Sequence, residues 1–514
     1  MPRCLLPLLG LLASCGSNSA SQHPNVILIT LDTTRPDYLS CYESRRAPTP
    51  ALDALASKGV LFEAALATSG VTPVSHASIL TGEYQYRHGL RVLSAGSGFR
   101  LPPGQATIAG TLRDKGYSTA AVHSAFPVSG HFGFARDYDH FDSFDGALEW
   151  SDPTGQDKTK WDSKLQRRSD ETVDRVLSAL DQGASQGAPV FMWIHLWDPH
   201  DPNIKPPREY WNHLAEQMGQ PTAANSALYE QFYATEVRFM DQQIGRLLGG
   251  LEERGLAEST LVAVTADHGE GLSDGYARHG WGKHRMTYQE QLHVPLIIAG
   301  PGVSPGVVSD MVSTVDIVPT LLELAGFSGE GYGGRSLKPL MEGEPLPPKN
   351  AYADQVNGYD WNASMVGARP DAAFLYTVCD GEWKLIYRPH MHEATELFNL
   401  VQDPLEEHNV LAENRAVYVR LLTDLAHRSP WVVEDFEITG EGDAGAQAAL
   451  QGLGYTGGDE DEDDAPTRNL TWWWHCPEHD DYRRDSRRAS DGTEQHAEDG
   501  CKLPVVPRTQ WPPQ

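Results

Sequence analysis

The sequence has few cysteines and few basic residues, and both shortages exclude classes of protein. Six cysteines occur among 514 residues and none of them has CxxC spacing, so neither a zinc ribbon nor a dense disulfide framework is indicated. The chain carries 41 basic and 70 acidic residues, which gives a formal net charge of -29. Because nucleic-acid binding requires clustered cations to displace counterions from phosphates, this charge argues against a nucleic-acid partner.

No multi-helix membrane domain is evident in the sequence, and its most apolar N-terminal run, Cys4 to Leu12, is short. This run follows Met1-Pro2-Arg3, cannot span a bilayer as a stable helix, and ends in small residues, as export signals do. Its end, Leu12-Ala13-Ser14-Cys15, resembles the bacterial lipobox, whose cysteine becomes the lipidated first residue. We therefore expect residues 1–22 to be a signal peptide and tether. An ordinary signal cleavage nearby is the alternative.

The expected location follows from this N-terminus. A mature chain lipidated at Cys15 would be exported and held at the cell envelope, on the periplasmic or outer-membrane side. The sequence gives no prediction of oligomeric state.

Several short apolar runs predict an α/β fold with a large, mostly parallel sheet. Continuous β-branched and apolar runs are typical of strands that are buried on both faces of such a sheet. The runs are Asn25 to Leu31, Ser118 to Val122, Val190 to Leu196 and Leu261 to Ala266. The intervening stretches have helical periodicity, and strands that alternate with helices form parallel sheets covered by helices.

The composition changes along the chain and divides it into a large domain over 23–330, a smaller one over 331–457 and a tail over 458–514. In the smaller domain, Asp380-Gly381 separates two short apolar runs, which predicts a hairpin in a small antiparallel sheet. A helix is predicted around 417–427. The tail begins with an unbroken acidic run and is polar thereafter, which is typical of a disordered segment.

Residues with metal-binding side chains follow two of the predicted strands. Asp32 ends the first run, and the pair Asp267-His268 ends the last. Open parallel sheets bind their ligands beyond the carboxyl ends of the strands, so we expect these residues to form one site. Together with the hydroxyl of Thr72, they make a mixed oxygen and nitrogen set suited to a divalent cation. Taken singly, the carboxylates could be helix N-caps and Thr72 a turn residue.

Three segments resemble, in order, the signature segments of the sulfatase family of the alkaline phosphatase superfamily. They are Asp32-Thr33-Thr34-Arg35, the block from Thr72 to Gly82, and Val264 to Glu270. Further segments extend the resemblance to about residue 455, including the loop Asp198 to Pro202. The resemblance implies an alkaline phosphatase-like fold, with catalysis in the domain over 23–330.

The resemblance also implies the roles of the site residues. Asp32, Thr72, Asp267 and His268 would bind one divalent ion, which would be Ca, Mn, Zn or Mg. Thr72 would be the nucleophile and would form a covalent ester that water later opens.

Four further positions are implied to contact the substrate. His76, His200 and His284 would hold its non-bridging oxygens, and one of them would protonate the leaving oxygen. Lys283, beside His284, competes for that position, because many sulfatases have a lysine there.

The nucleophile block departs from the family pattern. Sulfatases usually carry a cysteine or serine that is converted to formylglycine, whereas this block has Thr72, so no formylglycine is expected. Thr33 stands where many sulfatases have a second aspartate, which favours Mn or Zn over Ca. A threonine nucleophile is similar to phosphoryl-transferring relatives. We therefore expect a hydrolase of small, glycan-linked or lipid-linked sulfate or phosphate esters. An envelope phosphoethanolamine-type transferase and a binding lipoprotein with a degenerate site are the alternatives.

Overall fold

A computed structural model gives the structure of the protein. It describes residues 23–44, 46–91, 100–142, 166–183, 187–200, 206–211, 226–272, 285–357, 370–389, 391–428, 473–476 and 481–484. The strands in these ranges are β1 Asn25–Leu31, β2 Val60–Leu66, β3 Ser118–His123, β4 His140–Asp142, β5 Val190–Leu196, β6 Thr260–Ala266, β7 His293–Ala299, β8 Gly306–Val308, β9 Val312–Ser313, β10 Ala351–Gln355, β11 Leu375–Cys379, β12 Trp383–Tyr387, β13 Glu396–Asn399, β14 Trp473–Cys476 and β15 Asp481–Arg484.

The α-helices in the same ranges vary from one turn to 28 residues. They are α1 Pro50–Ala56, α2 Thr72–Thr81, α3 Gln85–His88, α4 Ile108–Asp114, α5 Ser169–Gly183, α6 Arg208–Trp211, α7 Ser226–Glu253, α8 Gln289–Leu292, α9 Ile317–Leu324, α10 Lys338–Met341 and α11 Arg415–Arg428. Within the described ranges, every helix is too short or too polar to cross a membrane.

Nine strands form one large sheet, and this confirms the predicted α/β fold. Eight strands follow the order β4-β3-β5-β1-β6-β7-β2-β8, and β9 also pairs with β2. The pairs are parallel except where β7 lies antiparallel between β6 and β2. The sheet is therefore mixed and mostly parallel, as predicted.

Strand β1 lies at the centre of this sheet, between β5 and β6. Its sequence NVILITL is apolar at consecutive positions rather than at alternate ones, and Val26 through Leu31 are all buried. Because consecutive side chains of a strand point to opposite faces, both faces of the sheet are covered here.

The smaller antiparallel sheet has the order β10-β11-β12-β13, and β11 and β12 form the predicted hairpin. Helix α11 packs against this hairpin through Tyr418, Leu421, Leu422 and Leu425. A fully buried ion pair joins this sheet to α8. Lys384 Nζ is 2.8 Å from Glu406 Oε1, and Glu406 Oε2 accepts a hydrogen bond from the Gln289 amide at 2.6 Å.

Several predicted features fall outside the described residues. These are the N-terminal segment with Cys15 and most of the tail over 458–514. Within the tail, the described residues form an antiparallel pair, β14 and β15. The lipid anchor and the disordered tail therefore stay predictions.

Candidate active site

The register of the central strands brings Asp32 and Asp267 together. Leu31, the last residue of β1, pairs with Ala266 of β6, so the residue after each strand is an aspartate at the same level. Both side chains are fully buried. The two carboxylates and His268 each offer a ligand atom, and these atoms lie within 4.8 Å of one another. The predicted meeting of the strand-end residues at one place is thus what the structure shows.

Two backbone amides fix the carboxylate of Asp267. Its Oδ1 accepts hydrogen bonds from the Thr33 amide at 3.0 Å and the His268 amide at 2.8 Å. Its Oδ2 has no hydrogen-bond donor and lies 3.4 Å from His268 Nε2. One oxygen therefore holds the loops, and the other remains available to a cation.

The ring of His268 is oriented so that Nε2 can act as a ligand. Its Nδ1 is 2.8 Å from the carbonyl oxygen of Gly269. Because a carbonyl only accepts hydrogen bonds, Nδ1 carries a proton, and Nε2 is the ring nitrogen that can act as a metal ligand. Nε2 also lies near Asp267 Oδ2, as two ligands of one cation would.

The charge at this place also fits a divalent cation. Asp32 Oδ1, like Asp267 Oδ2, is buried without a hydrogen-bond donor. Burial raises the pKa of Asp32 well above its usual value, and the charges of Asp267 and Glu270 raise it further. A hydrogen bond from Thr72 opposes these effects only in part. A divalent ion would compensate the negative charge, so the residues present fit the metal that the family resemblance implies.

Helix α2 places Thr72 beside these ligands. Thr72 is the first residue of the helix, with Pro73 next to it, and its Oγ1 is 3.3 Å from His268 Nε2. Ser75 Oγ donates to the backbone oxygen of Asp267 at 2.6 Å and ties the helix to the ligand loop. The positive end of the helix dipole therefore lies at the hydroxyl, where it stabilises negative charge.

His76 lies on the inner side of α2, against the sheet. Its Nδ1 donates to the carbonyl oxygen of Thr72 at 2.8 Å, and its Nε2 is 3.0 Å from Thr30 Oγ1. The side chain is fully buried, and burial lowers its pKa. Both ring nitrogens are engaged within the protein, so a contact with substrate oxygens would require one of these bonds to break. The predicted substrate contact stays a prediction.

Of the other three residues predicted to contact the substrate, the structure describes only His200. His200 ends a short 3-10 helix, is buried, and stacks on Trp197 with 3.7 Å between ring centroids. Lys283 and His284 lie outside the described residues, which resume at Arg285. The backbone amide of Arg285 donates to the carbonyl oxygen of Gly70 at 3.2 Å, two residues before Thr72. Arg285, the first described residue after them, therefore lies close to the start of the helix that carries Thr72.

One residue that supports the Asp32 loop, Tyr233, was not predicted from the sequence. Thr33 has a φ of 47°, in the left-handed region that β-branched residues rarely adopt. Tyr233, on α7, donates from its hydroxyl to the carbonyl oxygen of Thr33 at 2.6 Å and accepts from the Arg35 amide at 3.0 Å. A tyrosine in the middle of a long amphipathic helix gives no sequence signal for this role. Arg35 donates to the carbonyl oxygen of Glu270 at 3.2 Å and so ties the Asp32 loop to the segment that follows β6.

Comparisons with known proteins identify the family. The family model described as sulfatase matches residues 24–327, more than half of the chain, and includes every described residue of the metal cluster. The chain belongs to the sulfatase family. A second model, described as the C-terminal region of N-sulphoglucosamine sulphohydrolase, matches residues 277–428. The protein is accordingly an ester hydrolase of a family whose members use a divalent metal ion.

Curated relatives match over most of their length. The N-acetylglucosamine-6-O-sulfatase of Bacteroides thetaiotaomicron is 24% identical over 501 residues, covering 80% of this chain and 87% of that protein. Human arylsulfatase A is 26% identical over 465 residues, with coverage of 80% and 87%.

Solved structures share the fold. An enzyme in complex with its substrate D-glucosamine-2-N,6-O-disulfate superposes with a TM-score of 0.63 at 21% identity, covering 79% of this chain and 97% of that one. The phosphonate monoester hydrolase of Agrobacterium radiobacter has a TM-score of 0.61 at 22% identity, with coverage of 78% and 95%. The same fold thus occurs in proteins that act on sulfate and on phosphonate groups.

Proposed function

We propose that this sulfatase-family protein hydrolyses phosphate esters, or sulfate esters, with Thr72 as the nucleophile. One observation carries the proposal: Thr72 Oγ1 lies 3.3 Å from His268 Nε2, within a cluster that also contains the buried carboxylates of Asp32 and Asp267. A hydroxyl beside the ligand set is close enough to be activated by a bound metal ion, which supports its role as the nucleophile. The intact ligand set argues against a binding protein with a degenerate site.

The chemistry follows from the residues around Thr72. A divalent ion held by Asp32, Asp267, His268 and Thr72 would lower the pKa of the hydroxyl and make it nucleophilic near neutral pH. Thr72 Oγ1 would lose its proton and form a bond to phosphorus or sulfur as the bond to the ester oxygen breaks, and one of the three histidines His76, His200 and His284 would protonate the departing oxygen. Water would then break the bond between Thr72 and the central atom, return a proton to Thr72 Oγ1 and release the transferred group.

The identity of the nucleophile favours phosphorus over sulfur. Formylglycine hydrate has a second hydroxyl on the same carbon, so a sulfated formylglycine can expel sulfate by collapse to the aldehyde. Thr72 has no such hydroxyl, and water must attack the central atom of the covalent ester directly. The shared fold with a phosphonate monoester hydrolase supports the same preference.

The metal is proposed to be Mn or Zn. The ligand set contains an imidazole nitrogen, and Thr33 supplies no carboxylate where many sulfatases have a second aspartate. Calcium prefers six to eight oxygen ligands, whereas imidazole suits Zn and related transition metals. Reconstitution of metal-free protein with each ion, followed by measurement of bound metal, tests this order of preference.

The nucleophile is tested with Thr72→Ala and with Thr72→Ser, the matched control that keeps a hydroxyl. Each purified protein is assayed with aryl phosphate, phosphodiester, phosphonate and sulfate esters in the presence of Mn or Zn. We expect Thr72→Ala to lose at least about 1000-fold in kcat and Thr72→Ser to retain measurable activity. Mass spectrometry of acid-quenched protein should detect the covalent ester on Thr72. Inactivity of the wild type on all four substrates, or full activity of Thr72→Ala, would refute the proposal.

An envelope transferase is the second candidate, favoured by the threonine nucleophile together with the N-terminal lipobox-like sequence. A transferase passes its group to a glycan or lipid acceptor instead of to water. Release of free product at a rate that does not depend on added acceptor excludes this candidate.

We also propose that the protein is exported and attached to the membrane through a lipid on Cys15. The support is the sequence Leu12-Ala13-Ser14-Cys15 after a short apolar run. Replacement of Cys15 by alanine should move the protein from the membrane fraction to the soluble fraction without changing its activity on a soluble ester. Retention in the membrane fraction would contradict the proposal.

A further inference from the structure

His195 lies directly behind the metal ligand Asp32. It is the sixth residue of β5 and pairs in register with Thr30 of β1, so its ring reaches the carboxylate that follows β1. His195 Nε2 is 3.0 Å from Asp32 Oδ2, and both side chains are fully buried. This contact joins two strands immediately beneath the proposed cation.

The hydrogen bonds of the His195 ring determine which of its nitrogens carries the proton. The backbone amide of Ser124 points at Nδ1, at a distance of 3.3 Å. Because an amide N–H can only donate, Nδ1 is the acceptor and the ring proton must be on Nε2. His195 therefore donates a hydrogen bond to Asp32 Oδ2, and the direction of this bond is fixed by the backbone.

The ring has little freedom to leave this position. Ser124 Oγ donates to the carbonyl oxygen of His195 at 2.7 Å, so the residue is held on its backbone as well as at its ring. The ring also lies against two other aromatic rings, that of His76 with 5.0 Å between centroids and that of Trp197 with 5.9 Å. The donor is thus rigidly placed before any substrate binds.

We propose that His195 is a positioning residue that sets the orientation of the Asp32 carboxylate toward the metal. With Oδ2 held by His195, the carboxylate cannot rotate, and Oδ1, which is buried without a hydrogen-bond donor, is left for the cation. Partners of metal-bound carboxylates tune the ligand in this way. The inference rests on the proposed function, because it assumes that the cluster binds a divalent ion.

Three variants of the full-length protein test the inference. His195→Phe removes the donor while it fills the space, and His195→Gln restores an N–H near the position of Nε2. His88→Phe is the matched control. His88 is also buried, accepts at Nδ1 from the Leu90 amide at 3.2 Å, and places Nε2 3.0 Å from Ser78 Oγ, but it contacts none of the ligands.

Metal binding to the metal-free proteins is measured by calorimetry with Mn and with Zn alone, and folding by thermal melting. His195→Phe should bind metal about 10- to 100-fold more weakly than the wild type, which is the usual effect of losing such a partner. His195→Gln should recover most of that loss, and His88→Phe should bind with the affinity of the wild type. The ester-hydrolysis rate of His195→Phe should rise again as the metal concentration is increased, while KM for the ester changes less than kcat.

The outcomes separate the inference from the function on which it rests. If the wild type binds neither ion, the proposed metal-dependent function fails, and the inference falls with it. If the wild type binds metal and His195→Phe binds it equally well, only the inference fails. It is also overturned if His195→Gln is no better than His195→Phe, or if His88→Phe loses as much affinity, because the donor would then not be the cause.

Discussion

Substitution of Asp267 by asparagine separates the role of this side chain in metal binding from its role in the structure of the loop. The oxygen of asparagine can still accept the hydrogen bonds from the amides of Thr33 and His268, now at 3.0 and 2.8 Å. The amide group would replace Oδ2, which has no hydrogen-bond donor and lies 3.4 Å from His268 Nε2. The change therefore removes a buried charge and a ligand while it keeps the structural bonds.

The expected magnitude follows from the separation of the carboxylates. The ligand atoms of Asp32 and Asp267 lie within 4.8 Å of each other. At an effective dielectric constant of about 20, two unit charges 4.8 Å apart repel each other by about 3.5 kcal/mol, and closer charges repel more strongly. Removing one charge should therefore stabilise the metal-free protein by an amount of this order, at a pH where Asp32 is ionised. The entropy of unfolding of a chain of this size converts the gain into roughly 3 to 4 °C in Tm.

Thermal melting with and without Mn or Zn measures both effects. Metal-free Asp267→Asn should melt above the metal-free wild type, and the rise in Tm that metal gives the wild type should be absent. Asp139→Asn is the control, because this exposed residue lies outside the metal cluster and one of its oxygens, Oδ2, accepts hydrogen bonds from the Thr119 amide at 2.8 Å and the Thr119 hydroxyl at 3.2 Å. Its Tm should hardly change. A lower Tm for metal-free Asp267→Asn together with an unchanged metal effect would refute the electrostatic reasoning.

Three further predictions concern the site and its support. Gly269→Ala should abolish metal binding and destabilise the fold by about 1 to 3 kcal/mol, measured by denaturant unfolding, because its Cβ would lie 2.0 Å from the Glu290 carbonyl oxygen. Lys384→Met should cost about 3 to 5 kcal/mol in unfolding free energy, since it leaves the buried carboxylate of Glu406 unpaired, and adding Glu406→Gln should recover part of it. Because burial raises the pKa of Asp32, the metal-free Tm should fall as pH rises through that pKa, and calorimetry should show weaker metal binding as pH falls.

The central strands could be predicted because they lie deep in the sheet. Continuous apolar runs predicted β1 and β5 with the bounds that the structure has, and β3 and β6 to within one residue. Strand β2, the antiparallel strand β7 and the short strands β4, β8 and β9 were not predicted. A strand of two or three residues is too short to show a recognisable hydrophobic pattern. The pattern of a longer strand does not indicate whether it runs parallel or antiparallel to its neighbours.

Site residues that directly follow a strand could be predicted from the sequence. Residues whose role depends on tertiary contacts were harder to predict. Asp32, Asp267 and His268 follow strands, so a sheet-edge rule was enough to group them. His76 shows the limit. The family resemblance implies that His76 contacts the substrate, whereas in the structure its ring bonds back to the Thr72 carbonyl oxygen, four residues earlier on the same helix.

The first half of α2, which carries the nucleophile, is bonded both to a metal-ligand residue and to the central strand. Ser75 bonds to the backbone of Asp267, while His76 joins the Thr72 carbonyl oxygen to Thr30 of the central strand. The position of the Thr72 hydroxyl relative to the ligands is thus set by buried groups of the sheet and helix. Substrate-selecting residues on surface loops can therefore change without moving the reactive centre, since none of these fastening contacts involves such a loop.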